Sequence, residues 1–492
     1  MQLSDFGCGT AVLSITALVL LAILIVREYI VPVAKGLKRV PEALVWPYRG
    51  DTQRLLSDGE QMYAQRMDKY GPVFSTWILG RRSIVIGALD TVKWCLTKEH
   101  GLLEADWPAS TRLLLGKGSL AASSGERHLL LRKLLKPAFS LPGVAQMVPK
   151  MGAIAEQCMS KWASKGRVQG LLAAKEFTFR VILELVFGFE EGRLSPELVD
   201  HYTNTFIVLA EHLFSYPINF PGFGFWTGMK AKKALIDIIK DNMNYIRERQ
   251  KRVGTASDVD QVRAISCVEE ILVKLEEAEE QMSDDDVADM LVNLLFAGHD
   301  TSAHTLTRLL AELPRHPEVW DRLKREQAEV VAEQGPEMSA DALKAMTYLE
   351  VVIKEMQRLH PIVGGVFRKA TEDFELPGGF YIPKGRQIFL NLGHSLKYDE
   401  RWAGETGRLS PHCFCPERWL SEEGQKTGAF LPFGAGLRMC IGFLLAQTEM
   451  KVFVATLVRG YSYAPEDVNE PWNNWPFGGE PVHDLQMQIK KI

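Results

Sequence analysis

Ten residues near the C-terminus, Phe433-Gly434-Ala435-Gly436-Leu437-Arg438-Met439-Cys440-Ile441-Gly442, constrain this chain more than any other stretch. They set one cysteine on a glycine-rich turn, and Phe443-Leu444-Leu445-Ala446-Gln447-Thr448-Glu449-Met450 then reads as the start of a helix. A helix N-terminus carries partial positive charge and unpaired N–H groups, both of which favour a thiolate over a thiol. Gly434 and Gly436 admit backbone conformations closed to other residues and let the chain approach a flat ligand closely. Arg438, two residues ahead of Cys440, is placed to meet an anionic group on that ligand. A thiolate held in this way is a good soft ligand for iron. A lone cysteine before a helix is more often a small buried apolar residue. The functional reading therefore rests on the whole pattern, F-x-x-G-x-R-x-C-x-G.

Other stretches carry chemistry of the same kind. Ser283-Asp284-Asp285-Asp286 is a helix start of the S-x-x-D type, and a helical pattern runs from it to Pro314, which stops it. Thirty helical residues would span about 45 Å. The middle of this helix reads Ala297-Gly298-His299-Asp300-Thr301-Ser302. A glycine inside a helix costs about 1 kcal/mol relative to alanine, so Gly298 needs a reason. Either it allows tight packing while Thr301 bonds back to its own helix, or it makes room for a ligand. Further on, Glu355 and Arg358 share one helix face and can pair, and His360-Pro361, Arg368 and Pro416-Glu417-Arg418-Trp419 come after them. His128 and Arg132 lie four apart on a helix running from Gly125 to Leu135.

Taken together these motifs resemble the cytochrome P-450 family, the haem-thiolate monooxygenases. The resemblance covers about the whole chain and implies a mainly α fold, a helical haem domain with small β-sheets. In that family Cys440 would be the axial ligand of haem b. His128, Arg132, Arg368 and Arg438 would meet the haem propionates, with Phe433 and Gly298 against the cofactor. Ala297 to Ser302 matches the family's oxygen-activation motif at every position, with Asp300 and Thr301 as the proton-delivering pair. Glu355, Arg358 and Arg418 would form a buried structural cluster. The reaction implied is insertion of one atom of O2 into a hydrophobic sterol-, retinoid- or terpenoid-like substrate. The electrons would come from an NADPH-dependent reductase, since no flavin or nicotinamide fingerprint occurs here. A haem-thiolate isomerase or dehydratase acting on a lipid peroxide is the first alternative, although such relatives often lose the acid–alcohol pair kept here. A non-catalytic haem- or sterol-binding membrane protein is the second.

The N-terminus sets the location. No charged residue occurs from Phe6 to Val26, whereas Arg27, Lys35, Lys38 and Arg39 come close behind against a single Glu28. About 20 apolar residues span a bilayer, and the basic flank places the remainder of the chain in the cytosol. The expected organisation is a single-pass anchor over residues 1–30, a stiff Pro-containing linker over 31–50, and the catalytic domain over 51–492. The endoplasmic reticulum is the expected membrane. The aromatic stretch from Leu213 to Trp226, with Lys230, Lys232 and Lys233 beyond it, suits a membrane interface or an ordinary connection between helices. A net charge of −4 gives no footprint for nucleic acid. Seven scattered cysteines give no disulfide framework.

Overall fold

The computed structural model describes residues 16, 19, 22, 26–46, 49–99, 101–253, 266–277, 282–403, 410–422, 424, 428–473 and 479–492. The expected membrane-spanning run therefore lies almost wholly outside the described residues. Among those described, no helix is long and apolar enough to cross a membrane.

Helices dominate, and their ends obey local chemistry. The long helix runs from Asp284 to Glu312, with the Ser283 hydroxyl accepting from the Asp286 N–H at its start. Pro314 falls in the 3-10 turn directly after it. Nearly all its residues from Val287 to Leu295 and from Ser302 to Thr307 are buried, so this helix is the axis of the largest hydrophobic core. The helix Phe443–Gly460 lies against it and is itself almost wholly buried from Glu449 onward.

Among the described residues ten short strands form three sheets: β1 (Val73–Ile78), β2 (Arg81–Ile86), β3 (Leu103–Ala105), β4 (Arg167–Gln169), β5 (Val366–Ala370), β6 (Phe374–Leu376), β7 (Phe380–Ile382), β8 (Gln387–Leu390), β9 (Tyr461–Pro465) and β10 (Gln486–Lys491). The main sheet has the order β1-β2-β8-β5-β3. Its first pair is a hairpin over residues 73–86, turned through Leu79 and Gly80, both at positive φ. Strand β8 then joins β2 in parallel, Ser83 opposite Gln387. The second sheet, β4-β10-β9, is completed by the C-terminal strand.

Leu102 to Leu115, a partly apolar stretch, contains β3 and a helix, Ala109–Leu115. The connector after the apolar run is not free of helix, because Val31–Ala34 forms one turn with Pro32 in its first positions, where a missing N–H costs nothing. That segment is fastened to the main sheet: Glu28 pairs with Arg82 and Arg386, and Glu42 with Arg82.

Candidate haem-thiolate site

The cysteine loop closes on itself. Cys440 N–H donates to Phe433 O at 2.9 Å, and Met439 N–H to Gly436 O at 3.1 Å. Gly436, at φ +70°, is pressed so near the neighbouring helix that an added Cβ would lie 2.3 Å from Leu96 O. No other residue fits there. Cys440 is exposed, yet protein crowds it closely, and this desolvation pushes its thiol above the usual cysteine range. The Gly442 N–H and Arg132 act the other way, more weakly. The expected helix-terminus effect is present but loses to burial. In the protein alone the sulfur is a thiol, and binding a metal must expel its proton.

The long helix offers a second accessible surface. Within its buried length it opens only at a short central stretch, where Ala297 is exposed and Gly298 and Thr301 are partly so. Thr301 Oγ donates to Ala297 O at 2.7 Å, so the hydroxyl is held by its own helix. A Cβ on Gly298 would stand 3.0 Å from Ile182 Cδ1, so the glycine serves close packing against the π-helix Ile182–Val186.

Asp300 faces a charged group rather than Thr301. Lys175 Nζ lies 3.9 Å from Asp300 Oδ1 and 3.5 Å from Glu480 Oε1, while His304 Nε2 lies 3.2 Å from Glu480 Oε1. These partners, the His304 hydrogen bond foremost, hold the Glu480 carboxyl down to about 2. Next to Asp300, burial lowers His299 to about 4; its Nδ1 sits 2.9 Å from Thr178 Oγ, and it is neutral near pH 7.

The arginines expected at an anionic ligand converge. His128 is buried and Arg132 half-buried on the helix Gly125–Leu135; desolvation lowers the Arg132 pKa, opposed by Cys440. Arg368 on β5 and Arg438 on the cysteine loop are brought to one place by Glu99, which no local motif announces. Glu99 Oε2 accepts from Arg368 Nε at 2.7 Å and Oε1 from Arg438 Nε at 2.5 Å. Glu449 was equally missed. Burial raises it to about 8, with a hydrogen bond to Ser302, the residue after Thr301. Its signal was there to read: a lone carboxylate in the apolar stretch from Ile441 to Val454.

Glu355, Arg358 and Arg418 do form the buried cluster expected of them. Arg358 Nε and Nη2 each donate to Glu355 at 2.9 Å, and Arg418 Nε lies 3.4 Å from Glu355 Oε1. Cys415 N–H and Trp419 Nε1–H donate to the same carboxylate at 3.0 and 2.9 Å. The segment over the cleft is stitched to the long helix: Asp289 accepts from Lys117 N–H at 2.9 Å and Asn293 Oδ1 from Ala121 N–H at 3.2 Å.

The donors present suit a haem: an exposed cysteine sulfur with Arg132 as its charged neighbour, and on the same loop Arg438, paired through Glu99 with Arg368, for its carboxylates. Comparison with known proteins agrees. Residues 41–487 match the family described as Cytochrome P450. Cytochrome P450 26C1 of Mus musculus is 30% identical over 455 residues, covering 87% of this chain and 82% of that protein. Taxane 13-alpha-hydroxylase of Taxus cuspidata is 28% identical over 465 residues, covering 92% of each. Among solved structures, retinoic-acid-bound cyanobacterial CYP120A1 aligns with a TM-score of 0.78 and 28% sequence identity, over 93% of this chain and 100% of that one.

Proposed function

The chain belongs to the cytochrome P450 family, and from that premise we propose that it hydroxylates a retinoid- or terpenoid-like substrate with electrons from an NADPH-dependent reductase. It is a haem-dependent monooxygenase with an axial cysteine thiolate. When bound, haem supplies the activation of O2 that no side chain can perform.

The chain's own residues do the rest. Cys440 holds the iron, its negative charge eased by the Gly442 N–H and Arg132. His128, Arg132, Arg368 and Arg438 hold the propionates, which are costly to bury without partners. Phe433 closes the loop beneath. Thr301 Oγ–H, stored on Ala297 O, is the proton offered to the cleft. Asp300 Oδ1 lies against the Lys175–Glu480–His304 group, whose Glu480 reaches solvent, and a turn of its side chain toward Thr301 would return the proton. Gly298 keeps the helix tight against Ile182 and so holds Thr301 at the cleft wall.

The observation that carries this reading is the pair of accessible surfaces, the Cys440 sulfur on a loop left partly open along its length, and the Ala297–Thr301 face of a helix otherwise packed into the core. The substrate class is supported by the names of the relatives, a taxane hydroxylase and a retinoic-acid complex, both concerned with apolar isoprenoid skeletons. Residues 1–30 form, in this reading, a single-pass anchor in the endoplasmic reticulum, with 51–492 in the cytosol. Exposed Tyr216, Ile218, Phe220 and Phe223 support a lipid-facing side, as does Lys230 stacked 3.7 Å over Trp226.

The test begins with haem. Purified protein, reconstituted, reduced and exposed to carbon monoxide, should show the difference band of thiolate-ligated ferrous haem, and Cys440→Ala should lose it. A variant that keeps the band overturns ligation by Cys440. Incubation with reductase and a panel of retinoids, terpenoids and sterols, read by mass spectrometry, then decides the substrate. Absence of any hydroxylated product from the whole panel overturns the substrate class.

A further inference from the structure

Glu99 lies three residues beyond the helix Leu89–Leu96, in a stretch with no motif. Its side chain is 1% accessible and each arginine it binds 8%. It takes both by Nε, which leaves their outer nitrogens for other work. Arg368 Nη1 donates to its own Phe367 O at 2.9 Å, and among the described residues Nη2 has no protein partner. Arg438 reaches Ala121 O at 3.4 Å, Ser124 Oγ at 3.2 Å and Ser123 O. Those residues lead directly into the helix that carries His128 and Arg132. One carboxylate thus joins the end of a helix, strand β5, the cysteine loop and the approach to a second helix.

Charge gives the reason. Arg368 and Arg438 are close enough to repel: burial lowers the Arg438 pKa first, Glu99 opposes that, and Arg368 adds to it. Two guanidiniums desolvated side by side would splay apart or recruit counterions without a carboxylate between them. Arg368 and Arg438 against Glu99 leave a net positive charge at the pair, to which Glu104 is a weaker counterweight.

We propose that Glu99 is the positioning residue of the cofactor's anionic end, a buried carboxylate that fixes Arg368 and Arg438 by their Nε atoms and leaves Arg368 Nη2, with the N–H bonds of Arg438 not taken by Ala121, Ser123 and Ser124, for the haem propionates. This rests on the haem-binding reading above and goes beyond it by naming what sets the arginines. Removing the Glu99 charge loosens both arginines and raises the positive potential at the haem edge. The first effect weakens haem binding. The second favours the reduced cofactor, which carries one more negative charge, and moves its midpoint potential upward.

The full-length chain is compared as wild type, E99Q, E99D, R368Q and E99Q/R368Q by haem titration monitored in the Soret band and by spectroelectrochemistry of the loaded proteins. E99Q should fold by circular dichroism and keep the thiolate-type carbon monoxide band. Its haem affinity should fall roughly tenfold or more, the usual scale for a lost charge-assisted bond, and its midpoint potential should rise. E99D should recover part of both. The double variant should lose less than the sum of the two single losses, because Glu99 acts in part through Arg368. E99Q equal to wild type in affinity and potential overturns the proposal, as do additive losses in the double variant. An E99Q chain that does not fold makes Glu99 a structural residue and overturns it too. If wild type itself takes up no haem, the underlying reading fails first and visibly.

Discussion

Two clusters in this molecule share a composition, one glutamate between two arginines, and differ in everything around it. Glu355 accepts from Arg358 and Arg418 and also from Cys415 N–H and Trp419 Nε1–H. The outer nitrogens of its arginines end on main-chain carbonyls, those of Pro411, Cys413, Ser410 and Trp402. Glu355 and Arg358 are wholly inaccessible. Carbonyl dipoles absorb the second positive charge, and nothing is left to bind. Among the described residues Glu99 accepts from no main-chain or indole N–H, Arg368 Nη2 has no protein partner, and both arginines stay 8% accessible. A closed cluster and an anion site are thus built from the same ions, and whether the last N–H groups are covered decides which results.

The largest break in that comparison comes from Glu355→Ala. Removing one member of a buried, hydrogen-bonded pair costs about 3–5 kcal/mol, a large share of the 5–15 kcal/mol typical of a folded domain. Thermal or urea unfolding should show that loss, and a variant as stable as wild type would make the closed cluster dispensable.

Glu449 sharpens the contrast, being a buried carboxylate whose one hydrogen-bonding influence is the Ser302 hydroxyl, held at about 8 against an ordinary 4.5. Below pH 4.5 both folded and unfolded chains keep its proton. Above that the unfolded chain releases it while the native chain holds it, so stability falls as pH rises toward 8. His299, at about 4 against an ordinary 6.5, works the other way: stability falls as pH drops from 6.5 toward 4. The two slopes oppose one another between pH 4.5 and 6.5, and from pH 6.5 to 8 only that of Glu449 acts. Roughly 2 kcal/mol should be lost across that window, at 1.36 kcal/mol per pH unit. Unfolding measured at pH 6.5 and 8 should show it in wild type and not in Glu449→Gln.

Arg438→Gln tests the open cluster with a smaller effect. Glu99 keeps Arg368, so the haem-free protein should lose about 1 kcal/mol, while haem uptake falls at least several-fold. A stability loss matching that of Glu355→Ala would mean that both clusters are structural. Thr301→Ala, in neither cluster, should change stability least, by under about 1 kcal/mol. It should nonetheless raise NADPH consumption per product formed; unchanged coupling counts against the proton role.

What could be read from the sequence was what local chemistry decides. Ser283, Pro314 and the Leu79-Gly80 turn mark their elements because a cap, a missing N–H or a positive φ acts within a few residues. The cysteine loop was legible for the same reason. The role of Gly298 was not, since two uses of a mid-helix glycine leave the same letter, and only the position of Ile182 selects packing. Thr301 likewise had two acceptors open to it, and the structure assigns Ala297 O. Glu99 was invisible because its partners stand 269 and 339 residues away, and Glu355 was visible because Arg358 is one helical turn on.

The parallel pairing of β2 with β8 has a consequence for how the protein is made. Ser83 Oγ and Gln387 Oε1, joined at 2.6 Å, are separated by 304 positions in the chain. At 5–20 residues per second of synthesis, the first hairpin waits roughly 15 to 60 seconds on the ribosome for its neighbour. Through that interval an unpaired strand edge is available to any other nascent chain. Slowing translation between the two strands should therefore raise aggregation of the newborn polypeptide, and chaperone supply, rather than the final stability of the native state, should limit its yield.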